Sequence, residues 1–205
     1  MKRPAPGASR AKPAAAHAKP SAAPGEVRII GGQWKRTRLP VAKLEGLRPT
    51  PDRVRETLFN WLGQDLGGWR CLDAFAGTGA LGFEAASRGA ASVQLVESEP
   101  ALVAQLHAWQ QRLQAAAVRV QRGDGVAALR HSAPGSLDVI FLDPPFGSAL
   151  FEPALRAALS ALAAQGFIYL EAPERWSDEA LADLGLTLHR HLRAGAVHAH
   201  LLQKI

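Results

Sequence analysis

Asp143-Pro144-Pro145-Phe146 closes an apolar run, Val139-Ile140-Phe141-Leu142. Neither proline can donate to a sheet ladder, so the chain must leave the sheet there along a stiff path. That exit offers a carboxylate, bare carbonyls and an aromatic ring. Together these can accept the two hydrogens of a planar amine and stack on the ring that carries it. The bland alternative is a rigid strand-to-loop exit that happens to end in Phe. A second cluster lies upstream, in Asp73-Ala74-Phe75-Ala76-Gly77-Thr78-Gly79-Ala80-Leu81-Gly82. Its glycines sit between a strand-like and a helix-like stretch, where a ligand can approach the backbone at a helix N-terminus. Gly77, Gly79 and Gly82 satisfy G-x-G-x-x-G, and Glu97 follows where dinucleotide folds place an acid on the ribose. Asp73, within the strand, is placed to meet a cationic ligand instead, and nothing else suggests hydride chemistry. The dinucleotide reading stays open but leaves D-P-P-F unexplained.

The elements that must position these residues alternate in βα fashion. Strands are predicted at 70–75, 92–97, 118–121, 137–142 and 166–171, and helices at 80–88, 100–115, after Asp124, and at 149–163. Such alternation implies a mainly parallel sheet with helices on both faces. Val27–Ile30 and Trp34–Val41 read as a hairpin around Gly31-Gly32. Thr50 is a candidate N-cap with Pro51 at the first helical position. Val54, Leu58, Trp61 and Leu62 recur at helical spacing as a core face, which turns Arg53 and Arg55 elsewhere. Strands 186–193 and 196–203 form a closing hairpin with a turn at Ala194-Gly195. That turn sets His191 opposite His198 and His189 opposite His200, four imidazoles on one face. A solvated polar face is the reading adopted; zinc or nickel ligation is the alternative.

Composition bounds the partners. The 205 residues suit a single domain with a sizeable core. The formal net charge of +6 points to a polyanionic partner. Residues 1–58 hold 13 Lys and Arg against 4 Asp and Glu; the remainder holds 11 against 14. Residues 1–25 are rich in Pro, Ala and Lys and lack acids, so they are expected to be a disordered basic tail. Residues 26–205 then form the folded domain, with 26–47 a hairpin that contacts nucleic acid. Trp34 beside Lys35, Arg36 and Arg38 gives the mixture of cation and aromatic that RNA surfaces use; anchoring of the hairpin is the other task open to Trp34. Arg28, Arg48 and Arg53 complete the candidate RNA-contacting set. The lone Cys71 allows no internal disulfide and suits a reducing, cytoplasmic setting. No apolar run is long enough for a membrane span, and nothing marks an obligate protein partner.

Arg28-Ile29-Ile30-Gly31-Gly32-Gln33-Trp34, Leu47-Arg48-Pro49-Thr50-Pro51-Asp52-Arg53-Val54-Arg55-Glu56-Thr57-Leu58-Phe59-Asn60-Trp61-Leu62, the Asp73–Gly82 block and D-P-P-F occur in order. Together they resemble the RsmD family, bacterial methyltransferases that modify N2 of one guanine in 16S ribosomal RNA of the small subunit. The resemblance implies a Rossmann-like class I fold, α/β, with a mainly parallel seven-stranded sheet, a C-terminal antiparallel hairpin and an N-terminal β-hairpin extension. It also implies S-adenosyl-L-methionine as cofactor, bound by Asp73, Phe75, Ala76, Gly77, Thr78, Gly79, Glu97 and Asp124. Catalysis falls to Asp143, Pro144, Pro145 and Phe146, with no metal, and the RNA is expected within a small-subunit particle. Asp124 could equally serve as a helix N-cap. An aspartate in this motif suits an amine on guanine or adenine alike, and only the resemblance selects guanine N2. An adenine-N6 methyltransferase and a non-catalytic RNA-binding protein on the same fold remain the rivals.

Overall fold

The structure is a computed structural model that describes residues 25–41 and 50–205. Arg48, the expected tail through residue 24, and the end of the expected hairpin at 42–47 lie outside the described residues. The first elements are β1 (Glu26–Arg28), β2 (Arg38–Pro40) and α1 (Asp52–Trp61). Then follow β3 (Arg70–Asp73), α2 (Ala80–Ser87), β4 (Ser92–Glu97), α3 (Pro100–Arg112), β5 (Val118–Arg122) and α4 (Gly125–His131). The chain ends with β6 (Leu137–Leu142), α5 (Phe151–Ala161), β7 (Leu162–Ala172), α6 (Asp178–Ala182), β8 (Leu186–Ala194) and β9 (Val197–Lys204).

β3 to β9 form one sheet in the order β5-β4-β3-β6-β7-β9-β8, parallel from β5 through β7, with β9 antiparallel to both of its neighbours. The chain winds outward from β3 to β5, then returns to lay β6 on the other side of β3. The strand order therefore reverses between β3 and β6, the point at whose carboxyl ends open α/β sheets bind their ligands. Side chains of the central strands alternate between two cores. Cys71, Phe141 and Tyr169 face one with Leu58, Phe59 and Phe83. Leu72, Ile140 and Leu170 face the other with Leu155 and Leu181. A strand covered on both faces must be apolar at nearly every position, as Val139-Ile140-Phe141-Leu142 is.

Several expectations change in detail. The N-terminal strands pair only as Glu26↔Pro40 through Arg28↔Arg38, so Trp34 lies in the connecting loop instead of a strand. That loop is held by α2: Ser87 O accepts from Gln33 N (2.8 Å), while Ser87 Oγ accepts from Trp34 N and donates to Gly31 O (2.6 Å). A Cβ on Gly32 would stand 1.8 Å from Ser87 O, so the glycine pair is required by close approach as well as by the turn. Trp34 is half-buried and packs on the core, the anchoring alternative. Thr50 does not cap α1; Pro51 occupies the N-cap, without a side-chain hydrogen bond, and the Thr50 hydroxyl bonds Glu171. Arg55 turns inward, not outward, and is buried against Glu84 of α2. Phe59 joins the core face, and α6 is an added helix.

The closing hairpin forms in a register displaced by two from the expected one. Ala194 pairs with Val197, so Gly195-Ala196 makes the turn, His191 faces His200 and Arg193 faces His198. An irregularity between Leu188 and Arg190 sends His189 to Phe167, with ring centroids 5.6 Å apart. The other three imidazoles do gather, with His191 Nε2 3.0 Å from His198 Nδ1. The face is not solvated throughout. His200 is fully buried, its Nε2 accepts from Trp176 N (3.2 Å), its Nδ1 lies 3.3 Å from Leu170 O, and burial brings its pKa down to about 4. No group of described residues is arranged to hold a metal ion, and no described helix is long and apolar enough to cross a membrane.

Candidate active site at the carboxyl end of the sheet

The loop after β3 is tied to the end of β4 and to itself. Ala76 N donates to Val96 O (2.9 Å) and Gly79 N to Ala76 O (2.6 Å). Gly77 N donates to Glu97 Oε2 (2.8 Å). Gly79 is the N-cap of α2 at φ +74°, where a Cβ would also meet Leu106 Cδ2 at 2.5 Å. Phe75 is partly exposed, Ala76 is buried, and Thr78 Oγ1 accepts from Ala80 N. Residues 75–79 thus form a fixed rim at a helix N-terminus, small-sided apart from Phe75.

Four carboxylates converge on that rim. Asp73, last in β3, is buried and accepts from Gly82 N (3.2 Å) and Phe75 N. Burial lifts it to about 7, and Glu97 and Glu171 add to the lift through space. Glu97, last in β4, also accepts from Ser98 N and Glu99 N (2.7 and 2.8 Å). Asp143 follows β6 and is raised well above the usual carboxylate range by burial, then by Glu171 and Asp73. Glu171 lies near the end of β7, buried, with Tyr169 Oη donating to its Oε1 at 2.8 Å. Glu171 and Tyr169 were missed in the sequence. The available signal was a carboxylate closing the apolar run Ile168-Tyr169-Leu170, as Asp143 closes its own.

After Asp143 the chain turns sharply outward. Pro144 is buried, Pro145 is exposed, and the Phe146 ring is 45% exposed, 6.5 Å from the Phe151 ring. An exposed aromatic ring beside a half-buried carboxylate can stack on a planar partner. Asp124 is exposed and caps α4, its Oδ1 accepting from Ala127 N at 2.6 Å; this is the N-cap alternative. Behind it, α4 presses on the strand so closely that a Cβ on Gly125 would stand 2.0 Å from Ala74 O. Between α4 and α5, just past the strand exit, a cleft of about 860 Å³ includes Arg130, Phe151, Arg156 and Trp176, and no strand-end acid lines it.

The described cations expected on the RNA side are exposed but differently engaged. Arg28 pairs with Asp52 (2.8 Å) and Arg38 with Glu26 (3.2 Å); Lys35, Arg36 and Arg53 are exposed. Arg55 belongs to a buried set instead. Glu84 is fully buried and accepts from Ile30 N, Gly31 N, Arg55 and Arg88. The guanidinium of Arg88 lies 4.8 Å over the Phe59 ring.

The acid-lined rim suits a ligand bearing a sulfonium and an ammonium. With the doubly wound sheet and its antiparallel closing hairpin, it defines a Rossmann-like class I methyltransferase. The profile of the family described as Conserved hypothetical protein 95, the RsmD proteins, matches residues 27–203, and the chain belongs to that family as one of its enzymes. A ribosomal RNA small subunit methyltransferase D from Escherichia coli K12 is 40% identical over 191 residues, 88% of this chain and 91% of its own length. The protein of that name from Haemophilus influenzae is 40% identical over 166 residues, 75% of this chain and 86% of its own. The solved structure of a putative methyltransferase from E. coli superposes with a TM-score of 0.76 at 41% identity, covering 88% of this chain and 98% of that one. A precorrin-6y C5,15-methyltransferase from Geobacter metallireducens, at 19% identity and a TM-score of 0.62, shares the fold. The chemistry of this enzyme therefore draws on a methyl donor of the S-adenosylmethionine type.

Proposed function

We propose that this enzyme methylates the exocyclic N2 amine of a guanine in 16S ribosomal RNA, with S-adenosyl-L-methionine as donor and a small-subunit particle as substrate. The observation that carries this reading is the strand exit at Asp143. There a partly buried carboxylate, proline carbonyls and an exposed Phe146 ring stand beside an acid-lined rim. The bound donor supplies an already electrophilic methyl, so the protein needs no nucleophile of its own and works by placement and electrostatics. Gly77 and Gly79 let the methionine end lie against backbone, and Asp73 holds its ammonium. Glu97 accepts from the ribose hydroxyls, and Asp124, beyond its capping bond, meets the adenine amine.

The lone pair of a guanine amine is delocalised into the ring. Asp143 and the carbonyl of Pro144 or Pro145 accept its two hydrogens, which lets the nitrogen pyramidalise and aim its lone pair at the methyl. Phe146 stacks on the base, which leaves its helix or loop to enter the pocket; such stacking is worth about 1–3 kcal/mol per base. Residues 26–47 with Arg28, Lys35, Arg36, Arg38, Arg48 and Arg53 supply phosphate contacts, with residues 1–25 as an added basic tail. Trp34, packed on the core, acts here as the anchor of the loop that presents Lys35 and Arg36. The location implied is the cytoplasm, where such particles form.

The test is tritium transfer from labelled S-adenosylmethionine to naked 16S rRNA, reconstituted small subunits, 23S rRNA and duplex DNA, followed by nucleoside analysis. N2-methylguanosine from small-subunit material is the expected product. N6-methyladenine from any substrate would contradict the base assignment.

A further inference from the structure

Glu171 has no task in the mechanism above, yet it stands beside the reacting centre. β6 and β7 run parallel with Leu142 opposite Leu170, so the next residues along the two strands are Asp143 and Glu171. Phe141 and Tyr169, two residues earlier, share one face of the sheet with ring centroids 6.3 Å apart. Alternation puts Asp143 and Glu171 on that same face. Glu171 is held there as an acceptor. Tyr169 Oη donates to its Oε1 (2.8 Å), and the Thr50 hydroxyl makes the second hydrogen bond. A carboxylate has about four lone-pair sites, so two donors leave capacity for a third. Burial pushes Glu171 up, while the Thr50 and Tyr169 hydroxyls pull it back toward the ionised form.

The two candidate bases differ at the atom adjoining the reactive amine. Guanine carries an N1–H donor next to N2, whereas adenine carries an N1 lone pair next to N6. Asp143 and a proline carbonyl already take the amine hydrogens, so a guanine in this pocket has one donor left to satisfy.

We infer that Glu171 accepts the N1–H of the target guanine and is the residue by which the site selects guanine over adenine. The inference rests on the functional reading above and supplies the discrimination that the D-P-P-F motif alone lacks. An adenine would set its N1 lone pair against the carboxylate. A site built to hydrogen-bond a group rejects strongly the analogue that lacks it, because its own buried polar atoms are then left unpaired.

The probe is 2-aminopurine riboside, which keeps the exocyclic 2-amine but has no N1–H. Small subunits are reconstituted with 16S rRNA carrying either guanosine or 2-aminopurine at the position that the wild-type enzyme methylates. The full-length wild type, Glu171→Gln and Glu171→Ala are compared by kcat/KM, with cofactor affinity and melting temperature as folding controls. Wild type is expected to favour guanosine by roughly a hundredfold or more. Glu171→Gln, whose amide can donate as well as accept, is expected to lose most of that preference, with its rate on 2-aminopurine held or raised. A wild-type ratio near one overturns the inference without recourse to any variant. Folded variants that slow both substrates equally, keeping the wild-type ratio, assign Glu171 a structural role and overturn it as well. Failure of the wild type to methylate guanosine in any ribosomal substrate would instead remove the functional reading itself.

Discussion

Asp73, Glu97, Asp143 and Glu171 stand where parallel strands end, and burial there raises Asp73, Asp143 and Glu171 above the usual carboxylate range. Asp73 shows the consequence most directly. Its pKa of about 7 means that the folded enzyme holds a proton there which the unfolded chain, near 3.8, has released. Keeping the group ionised therefore opposes folding increasingly as pH rises from about 4 to 7. A bound ammonium offsets that cost, so cofactor binding should tighten toward neutral pH. Below pH 7 the dissociation constant should fall by about tenfold for each unit of rising pH and then level off. Calorimetric titration at several pH values checks this, and Asp73→Asn should flatten the slope. At this scale the sequence was legible where a residue breaks its surroundings. Asp73 before a glycine loop and Asp143 before two prolines both stand out. Glu171 does not, because one acid at the end of an apolar run has no local meaning until β7 is laid beside β6. Arg55 was misread for a related reason: a guanidinium on a helix looks superficial unless its buried partner, Glu84, is known to lie across from it.

Periodicity carried the elements well, since central strands must be apolar throughout and α1 repeats its core face at helical spacing. It carried registers less well. Moving the closing hairpin by two positions leaves every side chain on its original face, so the alternation of Leu and His could not separate a turn at Ala194-Gly195 from the one formed at Gly195-Ala196. The N-terminal extension owes its place to contacts that no pattern announces. Ile30 N and Gly31 N both end on the Glu84 carboxylate at 2.8 Å, and Ser87 binds the following turn. Glu84 thereby joins the extension, α1 and α2 in one buried network. Removing it takes the buried carboxylate from Arg55 and Arg88, which keep only Asp52 and Gln64 as side-chain partners, and leaves two backbone donors unpaired. Glu84→Ala should cost about 3–5 kcal/mol in urea unfolding, the range for breaking a buried ion pair on one side. It should also weaken RNA binding more than cofactor binding, because the cationic loop loses its seat.

The molecule as a whole separates two charge regimes. Its N-terminal quarter is strongly basic, while the remainder carries a small acidic excess and gathers buried carboxylates at one end of the sheet. A cationic methyl donor suits the acidic end and a polyanion suits the basic flank, and the proposed transfer of methyl from one to the other requires both. Gross fold and chemical class were legible because ordered motifs run from the N-terminal hairpin to Phe146, while beyond them only the general alternation of strands and helices agrees. The base that is read was not, because its determinant is an adjacency between strands. The central claim is that the strand exit at Asp143 activates an exocyclic amine of ribosomal RNA. Its most direct test is single-turnover methyl transfer to reconstituted small subunits by the wild type and Asp143→Ala, with the product nucleoside identified. The account predicts N2-methylguanosine from the wild type. For the variant it predicts a rate lower by about 10²–10³, the size typical of losing one oriented acceptor or donor at a reacting centre, with cofactor affinity within a few-fold of wild type. An Asp143→Ala enzyme that methylates at the wild-type rate would contradict it.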